Sequence, residues 1–246
     1  MSDKVSDILS EIKNEKSSIS VYCPSIGKDV DLAPLTLSQQ KEIIETSSDT
    51  TLAVLFFNNV FFKILKKNCK EDFSKLNTID RVALTLGLRS HLKNEVEFEE
   101  DGSVYINDLI ERNKDLEYTI ESKTVVSDNF TFHVEAPSLN LDNTINVLLL
   151  NKYKNISIDT NKLKNVISDL FSYEILKFIK TLQINDKEIN LHDNPKEGIK
   201  IIESIEGKHF LPVTEYINDI RDEEVKYTEC PKSQRKIDIV PDLFIL

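Results

Sequence analysis

Glycine is scarce in this chain, with five in 246 residues. Walker loops and dinucleotide fingerprints need several glycines so that backbone can approach phosphate closely, and neither pattern is present. The three cysteines, Cys23, Cys69 and Cys230, are odd in number and far apart, which argues against a disulfide framework, and they form no CxxC pair. The four histidines, His91, His133, His192 and His209, never fall at metal-ligand spacing, so no local zinc site is expected. Positive charge is also short: 31 Lys and Arg stand against 42 Asp and Glu, a net charge of -11. Phosphate backbones are neutralised by an excess of Lys and Arg, so nucleic acid is not an expected partner. No apolar run approaches the roughly 18 to 20 residues of a membrane-spanning helix. Met1 to Lys16 lacks the basic and apolar regions of a signal peptide. These absences predict a chain made and kept in a cytoplasm, without cofactor, membrane partner or small-molecule substrate.

Carboxylates are plentiful, but no local pair is spaced or desolvated for acid-base work, so no catalytic and no metal-binding residues are assigned and the chain is read as a non-enzyme. The run Asp222-Glu223-Glu224 reads as a solvated face, with a docking patch as the alternative. Lys232 to Lys236 reads as a loop.

An apolar content of 40% is ample for a packed core, and the pattern predicts an α+β fold. Residues 1–16 form an amphipathic arm in which Val5, Ile8, Leu9 and Ile12 recur at helical spacing, to be covered by the chain's own core or by a partner. Residues 17–126 form a mixed half with antiparallel strands and a buried helix. Ile19 to Cys23 and Asp29 to Leu32 read as strands joined through Pro24 to Lys28, with Gly27 at the left-handed position. Thr36-Leu37-Ser38-Gln39 is a capping box that starts a helix. Thr50 to Lys67 is apolar on most of its circumference and reads as a helix buried on nearly all sides, the core of this half. Thr78 to Leu92 is a further helix, closed by Arg89, Ser90 and His91. Asp101-Gly102 is a tight hairpin turn between Glu95 to Glu100 and Ser103 to Ile106. Tyr118 to Val126 and Asn129 to Glu135 alternate as strands, with Phe130, Phe132 and Val134 on one face.

Residues 127–246 read as a mainly helical half: Leu141 to Lys152, Thr160 to Leu182, Pro195 to Ile205 and Leu211 to Asp222. Asn194 caps the third of these and Gly207 stops it. Lys187 to Leu191 reads as a short edge strand. The apolar, proline-interrupted tail from Ile237 should dock on the body or on a neighbour, with Leu243, Phe244 and Leu246 as its contact residues. Cys23-Pro24-Ser25 and Ala136-Pro137-Ser138 echo one another, each joining a strand to a Leu-rich helix.

The segment from Val21 to Ile44, with Cys23-Pro24-Ser25-Ile26-Gly27-Lys28 and Pro34-Leu35-Thr36-Leu37, resembles the opening of the T-even-like phage baseplate protein family, which contains the baseplate hub subunit. Phe130 to Leu139 resembles that family's mid-chain block. The resemblance implies a non-enzymatic hub component that contacts other hub or tape-measure proteins, in the host cytoplasm during assembly and in the tail baseplate of the virion. Pro-Ser-Ile-Gly and Pro-Leu-Thr-Leu also look like elements of tail assembly chaperones, which bind such proteins and leave. On either reading Pro24, Ser25, Lys28, Pro34 and Leu35 are the expected contact loop, and replacing Ser25 and Lys28 should weaken capture without loss of stability.

Overall fold

The computed structural model describes residues 7–8, 11, 18–47, 53–98, 102–153, 160–230 and 236–245. The fold is α+β, as the patterning predicts. Strands β1 (Ile19–Cys23) and β2 (Lys28–Leu32) form an antiparallel hairpin. Helices α1 (Leu37–Ile44), α2 (Ala53–Asn68) and α3 (Thr78–Leu92) follow. A second hairpin, β3 (Glu95–Phe98) with β4 (Gly102–Tyr105), leads into α4 (Ile106–Lys114). An antiparallel sheet of order β5-β6-β7-β8 is built from Lys123–Ser127, Phe130–Val134, Ile179–Ile184 and Lys187–Asn190. Between β6 and β7 lie α5 (Leu139–Tyr153) and α6 (Thr160–Phe178). Helices α7 (Pro195–Glu203) and α8 (Leu211–Thr228) close the second half.

Two expected caps and turns form as written. The Thr36 hydroxyl accepts from the Gln39 amide at 3.3 Å, and the Thr36 amide donates to the Gln39 side chain at 3.0 Å. Gly27 takes φ +61 at the close of the 3-10 turn Pro24–Ile26, a left-handed conformation that glycine adopts without steric cost. Asn194 differs: its side chain makes no cap bond, and α7 ends at Glu203, before Gly207 opens a separate 3-10 turn.

The helix at the centre of the first half is α3 rather than α2. Helix α2 buries Leu55, Phe57, Phe61, Ile64 and Leu65 along one side but leaves Val54 62% and Phe56 40% exposed. Helix α3 is enclosed nearly all round and takes the polar Asp80, Thr85 and Arg89 into the core with it. Its lower apolar content hides this, because each of those groups is held by a partner rather than by water. Gly87 lets the hairpin in: a Cβ there would overlap the Val21 side chain.

The predicted helix from Thr160 to Leu182 stops at Phe178, and Ile179–Ile184 continues directly as β7 between β6 and β8. Pairing on both edges satisfies the backbone of this segment, which outweighs its modest helical preference. Leu182 sits beside Phe132 in the ladder, and Val134, Ile175 and Phe210 share the same core. Phe130, Phe132 and Val134 do face that core together.

Helix α8 runs six residues past the expected end at Asp222 and ties the two halves together. Val213, Tyr216, Ile217 and Ile220 lie in the sheet core, while Tyr227 and the following Cys230 lie in the α3 core. The β5-β6 hairpin, Lys123 to Val134, crosses the division drawn at residue 126. The three cysteines are buried thiols.

Candidate functional site

The Pro-Ser loop is fastened to the start of α3. Ser25 donates its backbone amide to Asp80 Oδ1 at 3.0 Å and its hydroxyl to Asp80 Oδ2. Asp80, fully buried, also accepts the Asn77 amide at 2.9 Å, while the Asn77 side chain accepts the amides of Ile79 and Asp80. This reciprocal cap satisfies the first donors of the helix. Burial pushes the Asp80 carboxyl up, against the pull of Ser25 and Asn77. The spacing Asn77-x-x-Asp80 is the sequence signal that would have revealed the cap.

The second Pro-Ser element reaches the same place. Ser138 bridges Asn77, Leu139 donates its amide to the Leu76 carbonyl at 2.8 Å, and Asn140 donates to the Phe73 carbonyl at 3.2 Å. The two echoing turns therefore meet on the chain that enters α3. Between them opens a cleft of about 500 Å³ lined by Ser25, Asn77, Tyr118, Glu135, Ser138 and His192. Burial holds the His192 imidazole below its ordinary range, and its Nε2 lies 3.1 Å from the Leu176 carbonyl.

Each residue expected to make contacts can now be located. Pro24 is buried; Pro34 and Leu35 are half-buried, with Leu35 packed on the α3 core. Lys28 is exposed and pairs with Glu71 at 2.7 Å. Ser25 is committed to Asp80, so it is not a free surface residue, and the expectation that it can be replaced without loss of stability does not survive this contact. Ser25→Ala should lower the unfolding free energy by about 1–2 kcal/mol, because it leaves a buried carboxylate short of a donor; chemical denaturation checks this. Leu243 and Phe244 pack in the α3 core, on the chain's own body. Leu246 lies outside the described residues, as do most of the arm and of the segment 232–236.

A second cleft, of about 390 Å³, lies between α2, α3, α5, α6 and α8 and was not foreseen from sequence. Its floor is an ion network. Asp142 accepts from Arg81 Nη1 at 2.7 Å, Lys177 Nζ at 2.9 Å and Asn146 Nδ2 at 3.1 Å. Lys177 also pairs with Glu174 at 3.0 Å, and Arg221 stands 3.6 Å from Glu174. Burial pushes the Asp142 carboxyl up, but Lys177 and Arg81 outweigh it and hold the group below the usual aspartate range. Arg81, Asp142 and Lys177 come from three helices and lie 35 to 96 positions apart, so no local motif announces them.

The acidic run on α8 divides here. Asp222 is exposed, whereas Glu223 is buried and binds Lys226 at 2.6 Å and Thr119 at 3.1 Å. Glu224 turns into the cleft. Burial raises its carboxyl above the ordinary value of 4.5, against the opposing pull of Arg81 and Thr78. A carboxyl raised on folding contributes stability that is present below its unfolded pKa and lost as pH rises through the folded one. Glu224→Gln should therefore gain stability relative to the parent as pH climbs above about 4.5. Thermal unfolding between pH 4 and 8 checks the sign.

Among the described residues no group of three or more His, Cys, Asp or Glu is placed to hold a metal ion, and no helix is long and apolar enough to cross a membrane. No family model matches the chain, and neither a curated protein nor a solved structure matches it.

Proposed function

We propose that this chain is a non-enzymatic subunit of the baseplate hub of a contractile-tailed phage, acting in baseplate and tail assembly through contacts with other hub or tape-measure proteins. It would gather in the host cytoplasm during assembly and remain in the tail baseplate. The observation that carries the reading is the convergence of its two family-like segments. Val21 to Ile44 and Phe130 to Leu139 are distant in sequence, yet their Pro-Ser turns meet at the start of α3. Such a joint gives both segments one rigid setting, which suits a part built into a larger assembly.

A second reading, an assembly chaperone absent from the finished virion, draws support from the exposed apolar side chains Val54 and Phe171 at the mouth of the ion-floored cleft. Both readings require the chain for tail formation. Deleting its gene from the phage that encodes it should leave lysates without complete baseplates, restored by expression in trans. Normal tails without the protein would remove both readings.

A further inference from the structure

Among the described residues, exposed apolar side chains stand out at two places. The first is the amphipathic arm, of which Asp7, Ile8 and Glu11 are described; all three are helical and exposed, with Ile8 at 55%. Its sequence stripe Val5, Ile8, Leu9, Ile12 has the i, i+3, i+4, i+7 spacing of a helix that lies in a groove. The second is the mouth of the cleft over Asp142. Val54 of α2, 62% exposed, and Phe171 of α6, 55% exposed, both line it, and Ile167, also 55% exposed, lies one helical turn before Phe171. Apolar side chains grouped at the rim of a charged cleft mark a contact surface rather than scattered exposure.

We propose that the arm of one copy seats in this cleft of a second copy. Ile8 is not covered by its own body, which favours exchange between copies over docking at home. Charge supports the pairing. Asp3, Asp7, Glu11 and Glu15 recur four apart in sequence, interleaved with the stripe, the spacing that one helix face would share. Arg221 lines the cleft too, 57% exposed and, among the described residues, 3.6 Å from Glu174, so its guanidinium is open to a carboxylate from outside. Each copy carries one arm and one cleft, so reciprocal exchange covers all four surfaces in a closed dimer, whereas a one-way contact would leave open ends.

The test is mass in solution, read by size exclusion with light scattering on the full chain. The expected result is twice the 28.3 kDa chain mass, falling to the single mass when residues 1–17 are removed, and falling likewise in Phe171→Asp. Phe171 lies outside the packed cores, and a cooperative thermal transition retained in both variants would exclude unfolding as the cause. A labelled peptide of residues 1–17 should bind the shortened chain, with binding lost in a peptide carrying Ile8→Asp and in the Phe171→Asp protein. A full chain that runs at single mass, a shortened chain that stays dimeric, or a peptide that fails to bind would each overturn the proposal.

Discussion

Asp142→Asn is expected to lower the unfolding free energy by about 3–5 kcal/mol, the usual cost of removing one partner from a buried ion pair. The size follows from what remains. Lys177 and Arg81 would face an uncharged amide in a site where the Lys177 side chain is only 11% exposed. Their charges would lose the group that offsets their desolvation. The parent protein should show a related loss in acid. Asp142 is depressed on folding, so its contribution is present above the unfolded aspartate pKa and disappears as pH falls through the folded one. In the Asn variant that part of the acid transition should be absent, and urea denaturation at a series of pH values would measure both effects.

Phe244→Ala should cost about 3–5 kcal/mol, as truncation of a large buried aromatic generally does. Phe244 is fully buried, its ring centroid 5.5 Å from that of Phe61, which in turn stacks on Phe57 at 5.4 Å. The backbone around it is held too. Gln40 donates to the Phe244 carbonyl at 2.7 Å, and Arg89, buried at the end of α3, donates to the Leu243 carbonyl. Arg89 also donates from Nη1 to the Lys93 carbonyl and from Nη2 to the Glu95 carbonyl, closing the helix. The tail is thus part of the first core, and differential scanning calorimetry of the variant should show a large fall in Tm. An unchanged Tm would mean that the tail merely rests on the surface.

What could be read from sequence was what local chemistry decides. The Pro24 to Gly27 turn, the Thr36 capping box, the presence of the β3-β4 hairpin and the burial of Leu243 and Phe244 each depend on residues within a few positions of one another or on plain apolarity, although Gly102 pairs with Phe98 in the ladder instead of sitting with Asp101 in a two-residue turn. The echo between the two Pro-Ser turns is also visible in the sequence, although nothing there says that both would fasten to the start of α3. The errors arose where tertiary contacts outvote local preference. Thr160 to Leu182 has an unbroken helical pattern, and only the demand of β6 for a partner turns Ile179 into strand. The pair Asn185-Asp186 was the available warning: Asn185 takes φ +54 in the β7-β8 turn, a conformation that Asn tolerates better than most residues. Likewise Asp222-Glu223-Glu224 reads as solvent-facing by composition, yet helical rotation carries Glu223 inward. The ion-floored cleft was invisible because Arg81, Asp142 and Lys177 are brought together by helix packing alone.

Permanent membership of a baseplate hub, as proposed, is tested most directly by quantitative mass spectrometry of purified virions beside assembly intermediates from infected cells. The account predicts that the protein is present in mature particles at a fixed ratio to the other baseplate proteins, as a large and permanent interface requires. Abundance in the intermediates together with absence from mature particles would contradict it.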